Sequence, residues 1–184
     1  AEGFVSGDCG HHSDAMIGPM LFGSERGAFP GAFERRVGEL VKADGGTLIL
    51  DRIERLPLEG QAMLAEMLST GLVQPVGGTN AMPVDVRFVA CSSTSLRQRA
   101  RDGLFREDLL ARISIAEVAL PPLRDRRVDI ANLSRHLMDR ISALPGMHSL
   151  SLSPELLAAV AAWRWPGNVR QLYDALLRAA VSAD

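Results

Sequence analysis

Behind the pair Gly45-Gly46, Thr47-Leu48-Ile49-Leu50 is an unbroken apolar run that stops at Asp51. A run this short, bounded by glycine on one side and a charge on the other, reads as a strand buried on both faces of a parallel sheet. Val84-Asp85-Val86-Arg87-Phe88-Val89-Ala90-Cys91 first alternates, then turns apolar and runs into Ser92-Ser93, a second strand. Between the two, Met63, Leu64, Met67 and Leu68 put an apolar stripe on a helix over 60–69, with Gly71 placed to end it. Strand, helix, strand is a crossover unit, so the front of the chain is expected to be α/β, a parallel sheet with helices on both faces.

Past Leu120 the pattern changes. Pro121-Pro122 breaks the chain, and three helical patterns follow over 129–144, 154–165 and 168–182. Ser153-Pro154-Glu155 is a helix start, a capping residue followed by proline at the first helical position. Trp165-Pro166-Gly167-Asn168 is a sharp stop between the last two helices. The back third therefore reads as a small helical bundle, joined to the α/β part near residues 121–128.

The 184 residues are 47% hydrophobic with a formal net charge of −2, so no global charge points to nucleic acid or an anionic membrane. No stretch is apolar for long enough to span a bilayer, no secretory signal is visible, and a reducing, cytoplasmic setting is the expectation. Cys9 and Cys91 form no C-x-x-C pair, and Cys91, in an apolar run, is expected to be a small buried side chain. The chain begins with Ala1 rather than Met and reads as a piece of something larger.

Candidate chemistry sits at strand ends and in turns. Asp51 ends a buried strand, where open α/β sheets bind ligands, and a carboxylate there holds Mg²⁺ beside a nucleotide phosphate or caps the next turn. Ser92-Ser93 offers hydroxyls to the same crevice or forms a plain turn. Arg106 and Arg112 are about 120° apart on a helix, so they meet one ligand only at a helix end; otherwise they pair with Glu107 and Asp108. Arg124 to Arg127 reads as a solvated hinge. His11-His12 has no matching further ligands for a metal. Phe29-Pro30-Gly31-Ala32 reads as a type II turn on the surface, with an exposed aromatic.

In this order, these pieces resemble one family, the AAA+ domain of bacterial enhancer-binding proteins, the activators of sigma-54 RNA polymerase. The resemblance runs from about Phe4 to Ala183. Leu21-Phe22-Gly23 through Gly27-Ala28-Phe29-Pro30-Gly31-Ala32 is similar to the family's LFGxxxGAFTGA stretch, and Gly45 to Asp51 to its Walker B strand. Val76-Gly77-Gly78 and Val84 to Arg87 resemble the segment before the sensor I strand. Phe105 to Arg112 resembles the arginine-finger segment, Leu120 to Arg124 the LPPLR hinge, and Trp165 to Leu172 the WPGNVREL sensor II motif.

The resemblance implies an AAA+ P-loop-type α/β core over 1–122, lacking its N-terminal Walker A segment, and a helical lid over 123–184. It also implies ATP or ADP with Mg²⁺ as ligands, self-association as a ring or dimer, and a sigma factor as partner of the loop Gly27 to Ala32 when ATP is bound. DNA would be read only by a separate domain. Arg106 and Arg112 would reach the nucleotide of a neighbouring subunit, and Arg170 would sense nucleotide from the lid.

The departures from the family pattern fall on the chemistry. No G-x-x-x-x-G-K-[ST] occurs; in the family that loop lies upstream of the strand that Phe4-Val5 resembles, so it either precedes Ala1 or is lacking. The family's Asp-Glu is Asp51-Arg52, and a guanidinium cannot take a proton from water. The sensor I asparagine is Ser93, and the loop threonine is Pro30, which has neither hydroxyl nor N–H. An ion pair of Arg52 with Glu54 or another acid is its structural alternative. The expectation is a central regulatory and oligomerisation domain with impaired hydrolysis; a working, divergent activator is the alternative, as is a subunit lending its arginines to an intact paralogue.

Overall fold

The computed structural model describes residues 3–147 and 150–182. The resemblance's last residue, Ala183, therefore lies outside the described residues. The chain divides into two compact units, Ala1–Glu117 and Val118–Asp184.

In chain order the first unit contains β1 (Phe4–Asp8), α1 (Asp14–Phe22), β2 (Gly23–Ser24), β3 (Arg36–Val37), α2 (Glu39–Lys42), β4 (Gly46–Asp51), α3 (Leu58–Thr70), β5 (Leu72–Val73), β6 (Met82–Pro83), β7 (Val86–Ala90), α4 (Leu96–Arg101) and α5 (Glu107–Ile113). Its main sheet is parallel with order β1-β4-β7. β4 runs down the middle of the sheet, and on one of its faces Leu48 and Leu50 are fully buried. Ile49, on the other face, is only half-buried, so burial on both faces holds less fully than the run implies. The helix read over 60–69 extends to Leu58–Thr70 and ends at Gly71, whose left-handed backbone (φ 69°) lets its N–H cap Met67. The core gathers Ile17, Leu21, Phe22, Leu40, Ile53, Leu64 and Leu109 around the sheet.

Cys91 is exposed, contrary to the expectation, and Cys9 is the buried cysteine. The physical reason lies in β7. It flanks β4 on one side only, its residues alternate between half-buried and exposed, and Cys91 stands just past its end. An apolar run on an edge strand does not bury every side chain.

The second unit contains α6 (Ile130–Ser142), α7 (Pro154–Ala162) and α8 (Asn168–Val181). Each matches one of the helical patterns read from the sequence, trimmed by up to three residues at its ends. The Ser153 hydroxyl accepts the Leu156 N–H at 3.2 Å, the cap that its sequence implied. Leu123, Ile130, Leu137, Ile141, Leu172 and Leu176 form the core. Trp165 is buried among them and donates its indole N–H to the Val160 carbonyl at 2.7 Å. Asn168 closes the unit by accepting the Leu123 N–H at 2.9 Å.

Candidate functional site

The carboxyl ends of β1, β4 and β7 lie side by side. Asp8 and Asp51 are register partners on adjacent strands, about 5 Å apart at the backbone. Past Asp51 the chain reverses through Arg52, in the left-handed region with φ 53° and ψ 44°, a conformation costing a non-glycine residue about 1 kcal/mol or more. Three hydrogen bonds hold the turn. The Arg52 N–H donates to Asp51 Oδ1 at 2.9 Å. The Ile53 N–H donates to the Cys91 carbonyl at 3.1 Å, and the Cys91 N–H to the Leu50 carbonyl at 2.9 Å. The turn drives Ile53 and Glu54 into the interior.

The Arg52 side chain crosses to β1. Nε donates to Asp8 Oδ1 at 2.8 Å and Nη2 donates to Oδ2, a two-point match of guanidinium to carboxylate. Its seat is Gly10: a Cβ there would stand 2.3 Å from the Arg52 Cζ. Asp8 also accepts the Gly10 N–H at 2.8 Å, and His11 Nδ1 lies 2.9 Å from its Oδ2. The hydrogen bond from Arg52, with smaller help from Gly10 and His11 and against the effect of burial, holds the Asp8 carboxyl at about 2. Burial, reinforced by the negative charges of Asp8, Glu54 and Asp51, pushes the Cys9 thiol up to about 12, so Cys9 is an inert packing residue.

Arg52 therefore pairs with Asp8 and not with Glu54. Glu54 turns to β7 instead. Its side chain is 6% exposed, and Oε1 accepts the Ser93 hydroxyl at 2.7 Å and the Ser93 N–H at 3.3 Å. Oε2 is buried without a partner among the described residues. Burial alone would raise the Glu54 carboxyl, but the hydrogen bonds it accepts, that from the Ser93 hydroxyl foremost, outweigh it and hold the group below its ordinary value. Ser93 thus spends its hydroxyl on Glu54, and Ser92 donates to the Thr94 carbonyl at 2.9 Å.

The arginines have separate partners. Arg106 precedes α5 and bonds Asp108 through Nε at 3.0 Å and Nη2 at 2.7 Å, the local ion pair that is its structural alternative. Arg112, in the last turn of α5, donates to Ser69 Oγ at 3.1 Å rather than to an acid. Arg170 is exposed in the first turn of α8, within the second unit. A groove of about 440 Å³ between α1, α3 and the segment 74–78 includes none of Asp8, Asp51, Arg52 or Ser93.

The loop Gly27 to Ala32 is a tied structure. The Ala32 N–H donates to the Phe29 carbonyl at 2.9 Å and the Gly27 N–H to the Ala32 carbonyl at 2.8 Å. Gly31, at φ 100°, takes the third position of the turn, which demands positive φ, and Pro30 takes the second, where no N–H is needed. Glu25 and Gly23 bond Val76, so the Val76-Gly77-Gly78 segment braces the loop's base. Phe29 is half-buried, which corrects the expectation of an exposed aromatic there. Phe33, one residue past the turn, is the outward ring at 82% exposed.

Sequence reasoning missed Asp8, Gly10 and Phe33, and it offered Glu54 as a partner for Arg52 where the structure joins it to Ser93. An acid at the end of the strand begun by Phe4-Val5, level with Asp51, was the available signal for Asp8.

The sequence matches the family model "Sigma-54 interaction domain" over residues 1–119 and the model "AAA+ ATPase lid domain" over residues 124–184. The chain belongs to the sigma-54 interaction domain family. It is 39% identical over 178 residues to the transcriptional regulatory protein FlbD of Caulobacter vibrioides, covering 97% of this chain and 39% of FlbD. It is 46% identical over 157 residues to the DNA-binding transcriptional regulator NtrC of Escherichia coli, covering 85% of this chain and 34% of NtrC. The chain thus spans little more than a third of the curated relatives it matches. Among solved structures, NtrX from Brucella abortus in complex with ATP superposes with a TM-score of 0.89 at 32% identity, over 98% of this chain and 39% of that one. The architecture is accordingly that of an AAA+ protein, α/β core and helical lid. Among the described residues no helix is long and apolar enough to cross a membrane.

The family implies Mg²⁺ at the end of β4. The donor set here does not fit a resident divalent cation. Asp8 is taken up by a guanidinium, one Asp51 oxygen by a backbone N–H, and Glu54 points to Ser93. Among the described residues no three acids, histidines or cysteines are arranged to hold a metal.

Proposed function

We propose that this chain is the central AAA+ domain of a bacterial transcriptional regulator that has lost ATP turnover and serves as an oligomerisation and regulatory module. One observation carries the reading. At the end of β4, where the family places the carboxylate that polarises the attacking water, stands Arg52, and it is committed to Asp8. A guanidinium accepts no proton, and loss of a positioned general base costs about 10²–10⁴ in rate. The nearest replacement acid, Glu54, is buried against Ser93.

In this reading the α/β core is 1–122, without a Walker A segment, and the lid is 123–184. ATP or ADP is the nucleotide, as in the solved NtrX complexes, and Asp51 is the carboxylate left to face any metal that arrives with it. Arg106 and Arg112 serve a neighbouring copy's nucleotide, Arg170 serves the lid side, and the Gly27 to Ala32 loop faces a sigma factor. Pro30 removes the hydroxyl that the family presents there. DNA is bound through a separate domain, and the protein works in the cytoplasm.

Phosphate release from the full-length protein with ATP and Mg²⁺ tests the reading. Release at the background rate is expected. Turnover near one per second that vanishes on Asp51→Ala would overturn it.

A further inference from the structure

The reading of the β4 end as the family's nucleotide and metal site leaves open why an arginine there is built in so thoroughly. Three carboxylates, Asp8, Asp51 and Glu54, lie close enough to act on the Arg52 charge. Arg52 is the cation among them, and His11 Nδ1 lies against Asp8 Oδ2, the oxygen that Arg52 Nη2 also bonds. Its position is fixed from three directions. The left-handed backbone aims it, the bare face of Gly10 seats it, and Asp8 grips both edges of the guanidinium.

We propose that Arg52, positioned by Asp8, is a tethered cation that takes the place of a divalent metal at this strand end and keeps one out. The argument is one of charge and room. Two register-paired carboxylates at adjacent strand ends are the raw material of a divalent-cation site, since such ions bind through carboxylate oxygens. A guanidinium offers fixed positive charge with no exchange, occupies the oxygens of one partner, and repels a second cation. Asp8 is thus a positioning residue: its role is exerted through Arg52.

The test is Mn²⁺ binding to this chain, read by loss of the free-ion electron paramagnetic resonance signal. It needs no nucleotide and no turnover, so its failure is separable from failure of the hydrolysis reading. Wild type and Arg52→Lys, which keeps a cation, are expected to leave Mn²⁺ free. Arg52→Gln is expected to bind it roughly tenfold or more tightly, since a unit charge a few Å from a dication is worth at least that factor. Adding Asp8→Asn to Arg52→Gln is expected to abolish the gain. Folding is checked by circular dichroism. If Arg52→Gln does not fold, Arg52→Met decides, because it keeps the length of the side chain and removes its charge; uptake above wild type supports the proposal and none overturns it. The proposal is also overturned if folded Arg52→Gln binds no more Mn²⁺ than wild type, if Arg52→Lys binds as much as Arg52→Gln, or if the double variant keeps the gain.

Discussion

Ser93→Ala removes the hydroxyl that donates to Glu54 at 2.7 Å and leaves that carboxylate with the long backbone contact at 3.3 Å. Glu54 is 6% exposed and its second oxygen is already unpartnered, so the variant leaves a buried charge short of donors. A hydrogen bond to a charged group is worth about 1.5–3 kcal/mol, and because Ser93 itself faces solvent the figure is discounted to about 1–2 kcal/mol. For a unit of this size that is a fall in Tm of roughly 4–8 °C. The pH dependence follows from the direction of the Glu54 shift. A carboxyl held below its ordinary value contributes stability above its unfolded pKa, about 4.3, and loses it as pH falls through the folded value. The Ser93→Ala penalty is therefore full near pH 7 and fades below about pH 4. Thermal unfolding followed by circular dichroism at pH 7 and at about pH 3, below the onset of the fade, measures it, with Glu54→Gln as a second background. There the charge is gone and the penalty shrinks. An equal penalty at both pH values, or an undiminished one in the Glu54→Gln background, refutes the reasoning.

Gly10→Ala places a Cβ 2.3 Å from the Arg52 Cζ, so the Asp8 carboxyl rises from about 2 toward its ordinary value; carbon-13 titration of the aspartate carboxyls reads this directly. Because the depressed Asp8 group stabilises above its unfolded pKa and is lost as pH falls, the variant also flattens the acid limb of the stability profile. Asn168→Ala loses the acceptor for the Leu123 N–H and puts alanine at φ 52°, lowering the stability of the second unit by about 1–3 kcal/mol in denaturant unfolding. Pro30→Thr changes stability by less than about 1 kcal/mol, the proline acting chiefly on the unfolded chain. Gly31→Ala, at φ 100°, costs more than Pro30→Thr, and the order of their Tm values checks it.

Local signals were legible where the physics is local. The apolar run before Asp51, the left-handed stop at Gly71, the Ser153 cap and the Phe29–Ala32 turn each depend on a few adjacent residues, and each is present. Strand edges were not legible. Whether Cys91 is covered depends on what flanks β7, which its own apolar neighbours do not encode. The ring that faces outward was misplaced for a related reason. Composition marked Phe29 as the odd aromatic, but Phe29 is half-buried and Phe33, just past the turn, is the ring left outside. The Asp8–Arg52 pair was the hardest to see. Its members are separated by 44 residues and brought together only by the β1–β4 register.

That pair bears on how the loss of the family's glutamate is understood. An arginine that merely displaced a glutamate at a strand end would be expected to point into solvent, a charge with nothing arranged around it. Arg52 instead has a carboxylate set opposite both edges of its guanidinium and a glycine where any side chain would collide with it. Asp8 also caps the turn after β1 by accepting the Gly10 N–H, but that single bond does not call for its two-point match to a guanidinium. Their fit to Arg52 indicates that the strand end is organised around a positive charge rather than stripped of a negative one. Ser93 and Glu54 fit the same picture on the other flank: the sensor position is joined to an acid of its own chain, not held ready for a γ-phosphate. The strand ends are cross-tied from β1 to β4 and from the turn after β4 to the end of β7. Such ties favour one fixed arrangement of the sheet edge, which suits a domain that holds its shape more than one that cycles with each turnover.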